Sequence, residues 1–161
     1  MEILRIVVMG VAGCGKSTVG AALAARLDAR FLDADDLHSP ASVAKMAAGE
    51  PLTDADREPW LHRVADALAA DDRIVIACSA LRRRYRDVLR TAGGVTFVFL
   101  DVSRPEIERR MANRSGHFMG AQMIDSQFAA LDRPTPDEND VAVVAADDDL
   151  MTVVARAILA S

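Results

Sequence analysis

With 161 residues, 51% of them apolar but only 4% aromatic, the chain has enough material for one domain whose core rests on Val, Ile, Leu and Ala. A charged fraction of 27% excludes compositional disorder. The net charge of -5 argues against a nucleic-acid partner but not against a phosphate ligand, which depends on local charge. No apolar run approaches the length of a membrane span, and Met1–Met9 lacks the basic region and cleavage site of a signal peptide. Two cysteines, Cys14 and Cys78, make neither a disulfide framework nor a metal cluster. The expectation is one domain over residues 1–161, in a reducing cytoplasm, with no membrane and no nucleic-acid partner.

In chain order, the first apolar run, Ile3–Met9, reads as a strand. Lys16–Leu27 carries Val19, Leu23 and Leu27 at i, i+4 and i+8, a single helical stripe. A short strand around Phe31, Arg30–Leu32, leads into a polar, helical stretch holding His38, Lys45 and Arg57. Thr53 and Asp54 signal the start of a helix marked by Trp60, Leu61, Val64 and Leu68. Ile74–Cys78 is the third strand and Leu81–Thr91 the next helix; Val95–Leu100 is the fourth strand. Ser103-Arg-Pro-Glu106 is a capping box that opens a helix to about Asn113. Helix Met123–Leu131, strand Val141–Ala145 and helix Leu150–Leu159 complete the chain. All strands but the short second one are near-continuous apolar runs, as expected when helices cover both faces of a parallel sheet. Crossovers of more than ten residues between strands make βαβ units, so the fold class is α/β.

Gly10-Val11-Ala12-Gly13-Cys14-Gly15-Lys16-Ser17 fits G-x-x-x-x-G-K-[ST] without a mismatch, directly after a strand and opening a helix. From this composition the pattern arises by chance about once in two thousand such sequences. Its backbone N–H groups, up to Thr18 in the first helical turn, suit phosphate oxygens, and the helix N-terminus adds a positive dipole end. Lys16 can reach β- and γ-phosphates, and the Ser17 hydroxyl can ligate Mg²⁺. Of nineteen basic residues seventeen are Arg; Lys16 and Lys45 are the two lysines. The loop alone separates neither kinase from ATPase or GTPase nor enzyme from nucleotide-binding regulator. Cys14, within the loop, admits two readings: a thiolate stabilised by the helix end and Lys16, or a small residue with its sulfur turned into the core.

Asp33 and Asp35 lie at the carboxyl end of the second strand, where ligands of open α/β sheets bind; two apart on extended chain, they point the same way. One suits Mg²⁺ and the other an acceptor hydroxyl, while an N-cap at Asp35 or Asp36 is the structural alternative. Ser79 and Arg82 follow the third strand at the same edge. The run Arg82-Arg83-Arg84-Tyr85-Arg86 spreads around a helix, so most of it reads as a solvated face, with Arg83 pairing Asp87 at i+4. Arg110 and Arg114 share a helix face before a Gly-containing connection, which suits a lid that neutralises charge on the phosphates or, alternatively, complements the helix dipole.

Taken together, Met9–Thr18, Phe31–His38, Lys45-Met-Ala-Ala-Gly-Glu-Pro-Leu52, Asp54–Leu61, Cys78–Leu81, Tyr85-Arg-Asp87, Arg114-Ser-Gly-His117-Phe118 and Ser126-Gln127-Phe128 resemble the small P-loop gluconokinases, relatives of shikimate and adenylate kinases. The resemblance covers most of the chain in order. It implies a five-stranded parallel sheet of order 2-3-1-4-5 with a short lid at about residues 114–122. It also implies Mg-ATP as donor and transfer to the 6-hydroxyl of gluconate, in a family where dimers are common. On that reading Lys16, Asp33, Asp35 and Arg114 are catalytic, with Ser17 and Asp33 on the metal. Gly10 to Thr18, Arg110 and Arg114 hold the nucleotide; Asp35, His38, Lys45, Arg57, Ser79, Arg82, His117 and Gln127 hold the acceptor. Cys14, Ala34, Asp132 and the loop Ala146–Asp149 depart from the family pattern. A kinase for another small hydroxy acid, of shikimate type, and a non-catalytic nucleotide-binding regulator are the competing readings.

Overall fold

The computed structural model describes residues 2–113 and 120–161. Five strands, β1 (Leu4–Met9), β2 (Arg30–Asp33), β3 (Arg73–Ala77), β4 (Val95–Asp101) and β5 (Val141–Ala145), form one parallel sheet in the order β2-β3-β1-β4-β5. In register, Ile6 faces Val75 on β3 and Thr96 on β4, so β1 lies at the centre. The helices are α1 (Lys16–Arg26), α2 (Pro40–Ala47), α3 (Asp54–Ala69), α4 (Arg83–Arg90), α5 (Arg104–Ala112), α6 (Ala121–Ala130) and α7 (Leu150–Ala160).

Side chains of a strand alternate between its faces, and this alternation divides the core in two. Ile6, Val8, Val75, Val98 and Leu100 pack with Val19 and Leu23 of α1, Ile107 of α5 and Val153 of α7. Val7, Met9, Ile74, Ile76, Phe97 and Phe99 pack on the other face with Trp60, Val64 and Leu68 of α3 and Leu89 of α4. Helices therefore cover both faces. β5 departs from the continuous-burial expectation: it is an edge strand, with Val144 buried but Val143 56% exposed.

Local signals hold at most boundaries. Thr53 caps α3 in a reciprocal capping box with Asp56; Ser103 caps α5 by accepting from the Glu106 N–H, but the expected box is not closed, because the Ser103 N–H donates to Asp147 and the Glu106 carboxylate turns to Arg109 and Arg110. α2 stands as a helix of its own, capped by Ser39 with Pro40 in its first turn, where the sequence reading had only a polar helical stretch. α4 begins at Arg83, two residues later than expected. Ala80 takes a left-handed conformation, φ 44°, so Leu81 and Arg82 leave β3 as an extended loop before the helix starts.

The arginine-rich run is not a uniformly solvated face. Arg86 is fully buried and grips Glu138 with two hydrogen bonds of 2.8 and 2.7 Å, while also donating to the carbonyls of Ala80, Leu81 and Asp132. Nor does Arg83 pair with Asp87. From the first turn of α4 it reaches Asp137 at 2.6 Å, and Asp87 pairs instead with Arg90, one turn on, at 2.7 Å.

Candidate active site

The phosphate loop leaves β1 at its carboxyl end. Gly13 and Gly15 have φ of +85° and +96°, and a Cβ at Gly10 would meet the Cys14 sulfur at 2.7 Å and the Leu100 carbonyl at 3.1 Å. Only glycine tolerates both the torsions and the crowding. Gly15 caps α1 without a side-chain bond, so its first N–H groups stay open to an anion. Lys16 curls back to donate to the Val11 carbonyl at 3.3 Å, and the Ala12 N–H donates to the Gln127 side-chain oxygen at 2.9 Å. The second bond ties α6 to the loop.

Beside the loop, the Ser17 hydroxyl donates to Asp33 at 2.6 Å, and the other Asp33 oxygen accepts the Asp35 N–H at 3.0 Å. The cap here is Asp33, not Asp35 or Asp36: Ala34–Leu37 forms a 3-10 turn, so Asp33 and Asp35 share the cavity through that turn and not through strand periodicity. Burial, then the neighbouring Asp33 charge, raises the Asp35 pKa from its ordinary value, the direction that favours a proton acceptor. The His38 ring stacks on Trp60 at 4.3 Å, with its Nε2 3.8 Å from Asp35. Burial holds His38 below its ordinary pKa, and its buried Nδ1 has no partner among the described residues. The Trp60 indole is itself fixed by donating to the Ala34 carbonyl at 2.7 Å.

These residues line a cavity of about 400 Å³ that includes Lys16, Ser17, Asp33, Asp35 and His38. A second, of about 560 Å³, adjoins it; Leu52, Arg57, Trp60, Ser79 and Gln127 line both. Its far end presents Arg82, Arg84, Tyr85 and Asp54. Arg57 donates to the Tyr85 hydroxyl at 3.3 Å, and that hydroxyl donates to Asp54 at 2.6 Å. Asp54, Arg84 and Tyr85 escaped the sequence reading because Asp54 looked like a helix-start residue and Arg84 like solvated charge. The available signal was that Arg84 and Tyr85 open a helix at the active edge.

A third cavity of about 430 Å³ lies behind the phosphate loop, between α5 and the loop that follows β5, with Thr18, Arg109, Arg110 and Asp147 to Leu150 on its walls. Arg110 is committed there: its guanidinium donates to the carbonyls of Cys14 at 3.2 Å and Ala146 at 2.7 Å and meets Glu106 at 3.0 Å. Its partner in the lid reading, Arg114, and the acceptor candidate His117 lie outside the described residues. Lys45 is bound to Asp56 at 2.8 Å and lines neither of the first two cavities. Cys14 resolves to the core reading: it is 2% exposed within an apolar cluster, and burial, outweighing Lys16, raises its thiol pKa. Cys78 is pushed up to about 12 by burial.

The sequence profile described as shikimate kinase matches residues 12–161. The thermoresistant gluconokinase of Escherichia coli (strain K12) is 46% identical over 157 residues, spanning 94% of this chain and 90% of its own. The gluconokinase of Gluconobacter oxydans (strain 621H) is 48% identical over 138 residues, spanning 83% and 78%. The crystal structure of a gluconokinase from Sinorhizobium meliloti 1021 superposes with a TM-score of 0.92 at 39% identity, covering 99% of this chain and 93% of that one. On both sequence and structure, this chain belongs to the gluconokinases, within the shikimate kinase group of P-loop kinases.

Proposed function

We propose that this chain transfers the γ-phosphoryl group of ATP to the 6-hydroxyl of gluconate. The observation that carries the reading is the continuity of the two cavities: Asp35 stands beside the phosphate loop in one, and guanidiniums gather in the other, with Arg57, Ser79 and Gln127 between. A six-carbon monoacid fits that layout, its hydroxyl end toward Asp35 and its carboxylate toward Arg57 and Arg82. The loop N–H groups and Lys16 hold the β- and γ-phosphates. Asp35 orients the attacking hydroxyl and takes its proton, a role helped by its raised pKa. On this reading Ser79 and His38, both in the cavity wall, meet hydroxyls along the acceptor. Arg114 and His117 act from the lid, Arg114 offsetting charge on the transferring group.

The oxygen pair Ser17 and Asp33 fits Mg²⁺, a hard cation that takes oxygen ligands and keeps several waters. Among the described residues no group of three or more His, Cys, Asp or Glu converges on a metal, so phosphate oxygens and water would complete the shell. Mg²⁺ supplies charge neutralisation across the phosphates when bound. The free, buried state of both cysteines supports work in the reducing cytoplasm. No helix among the described residues is long and apolar enough to cross a membrane. A homodimer, common in the family, is to be tested by sedimentation.

A coupled ADP-release assay with Mg-ATP tests the activity. Gluconate should support turnover, whereas shikimate and AMP should not. Equal turnover of shikimate would refute the gluconate reading, and no ADP with any acceptor would favour a regulator.

A further inference from the structure

The acceptor cavity carries more positive charge than a monocarboxylate can use. Arg57, Arg82 and Arg84 all line it. Two carboxylates offset them. Asp132 stands 3.6 Å from Arg82, and Asp54, itself in the wall, accepts from Arg84 and from the Tyr85 hydroxyl and lies 3.5 Å from Arg57. Three guanidiniums against two carboxylates leave one positive charge, the complement of one substrate carboxylate.

Asp54 is not held there by its helix. Thr53 caps α3 and Asp56 closes the capping box, so the start of α3 is already satisfied. The Asp54 carboxylate instead reaches across to α4, thirty residues on, and binds both Arg84 and Tyr85. The Tyr85 hydrogen bond, then the charges of Arg84 and Arg57, lower its pKa from the ordinary carboxylate value.

We propose that Asp54 is a specificity residue, a built-in carboxylate between Arg57, Arg84 and Tyr85 that matches the cavity to monocarboxylate acceptors and rejects acids bearing two charges at that end. This rests on reading the cavity as the acceptor site. In its absence the second charge of a dianion would meet freed guanidiniums; in its presence it meets Asp54. Like charges about 6 Å apart at intermediate dielectric produce roughly a tenfold difference in affinity.

The test uses two small hydroxy acids as competitors of gluconate at saturating Mg-ATP and fixed ionic strength: glycolate, a monoanion, and tartronate, a dianion. In the Asp54→Asn enzyme, tartronate should tighten about tenfold relative to glycolate, while Asp54→Glu, which keeps the charge, should hold the parent ratio. Arg84→Gln, which removes one of the two guanidiniums beside Asp54 and leaves Arg57, should shift the ratio the other way. A ratio within twofold of the parent in both Asp54→Asn and Arg84→Gln overturns the proposal. If neither acid competes with gluconate in the parent, the cavity is not the acceptor site; that failure is distinct from an unmoved ratio.

Discussion

Replacing Arg86 by alanine tests how the acceptor side of the cleft is held. The guanidinium has 0% exposed side-chain area, and its partner Glu138 has 1%. It makes the two bonds to Glu138 and donates to three carbonyls, those of Ala80, Leu81 and Asp132, which belong to the loops carrying Ser79, Arg82 and Asp132. Alanine leaves the Ala80 and Asp132 carbonyls without that donor, the Leu81 carbonyl with only the Asp132 N–H at 2.7 Å, and the carboxylate with only Arg90, at 2.7 Å. Breaking a buried pair from one side costs about 3–5 kcal/mol. For a chain of this length each kcal/mol is worth roughly 2–4 °C, so the midpoint should fall by about 10 °C. Urea unfolding gives the free energy directly, and the KM for gluconate should rise as Ser79 and Arg82 lose their frame. The pH dependence carries the same signature. With Arg86 as the largest cause, Glu138 falls from an ordinary 4.5 to about 2. A lowered carboxylate pKa stabilises the fold fully above the unfolded value, and that stabilisation is lost as pH falls from about 4.5 toward about 2. Arg86→Ala should flatten this acid limb. A loss below about 1 kcal/mol with an unchanged acid limb would refute the reasoning.

Three further outcomes are expected. Lys16→Ala should keep the fold by circular dichroism yet lower kcat by on the order of a hundredfold, since a charge contact to the transferring phosphoryl group is lost; near-normal turnover would reduce the loop to a binding scaffold. Both thiols should resist a disulfide reagent in the native enzyme and react fully in denaturant, because Cys14 and Cys78 are each 2% exposed; rapid reaction of one thiol, slowed by Mg-ATP, would restore the thiolate reading of Cys14. Gly20→Ala should destabilise by about 1–2 kcal/mol despite alanine's better helix propensity, because the added Cβ would stand 2.8 Å from the Phe31 ring; a rise in melting temperature would show that Phe31 yields freely.

How much of this molecule could be read before it was folded depends on the range of each interaction. The phosphate loop was legible because its glycines, Lys16 and Ser17 are neighbours in the chain and their torsions and charges are local. Helix starts at Thr53 and Ser103 were legible for the same reason: the cap and its N–H partner are three residues apart. Asp33 and Asp35 line one cavity with the phosphate loop, though they share it through a 3-10 turn that alternation did not foresee. Strand order followed from family resemblance, since nothing in an apolar run names its neighbour.

What the tertiary structure alone decided was the fate of charges and thiols. Composition cannot tell a solvated arginine from Arg86, whose partner lies fifty-two residues away, nor a helix-start aspartate from Asp54, which meets Tyr85 across thirty-one. Sequence left Cys14 open between a thiolate stabilised by its near neighbours and a small core residue; burial in the apolar cluster raises its pKa more than Lys16 lowers it. Local pattern sets torsion, capping and periodicity because those energies arise within a few residues. Burial and charge pairing are set by whichever distant segments the sheet brings into contact, and desolvation, the larger effect, exists only once they have met.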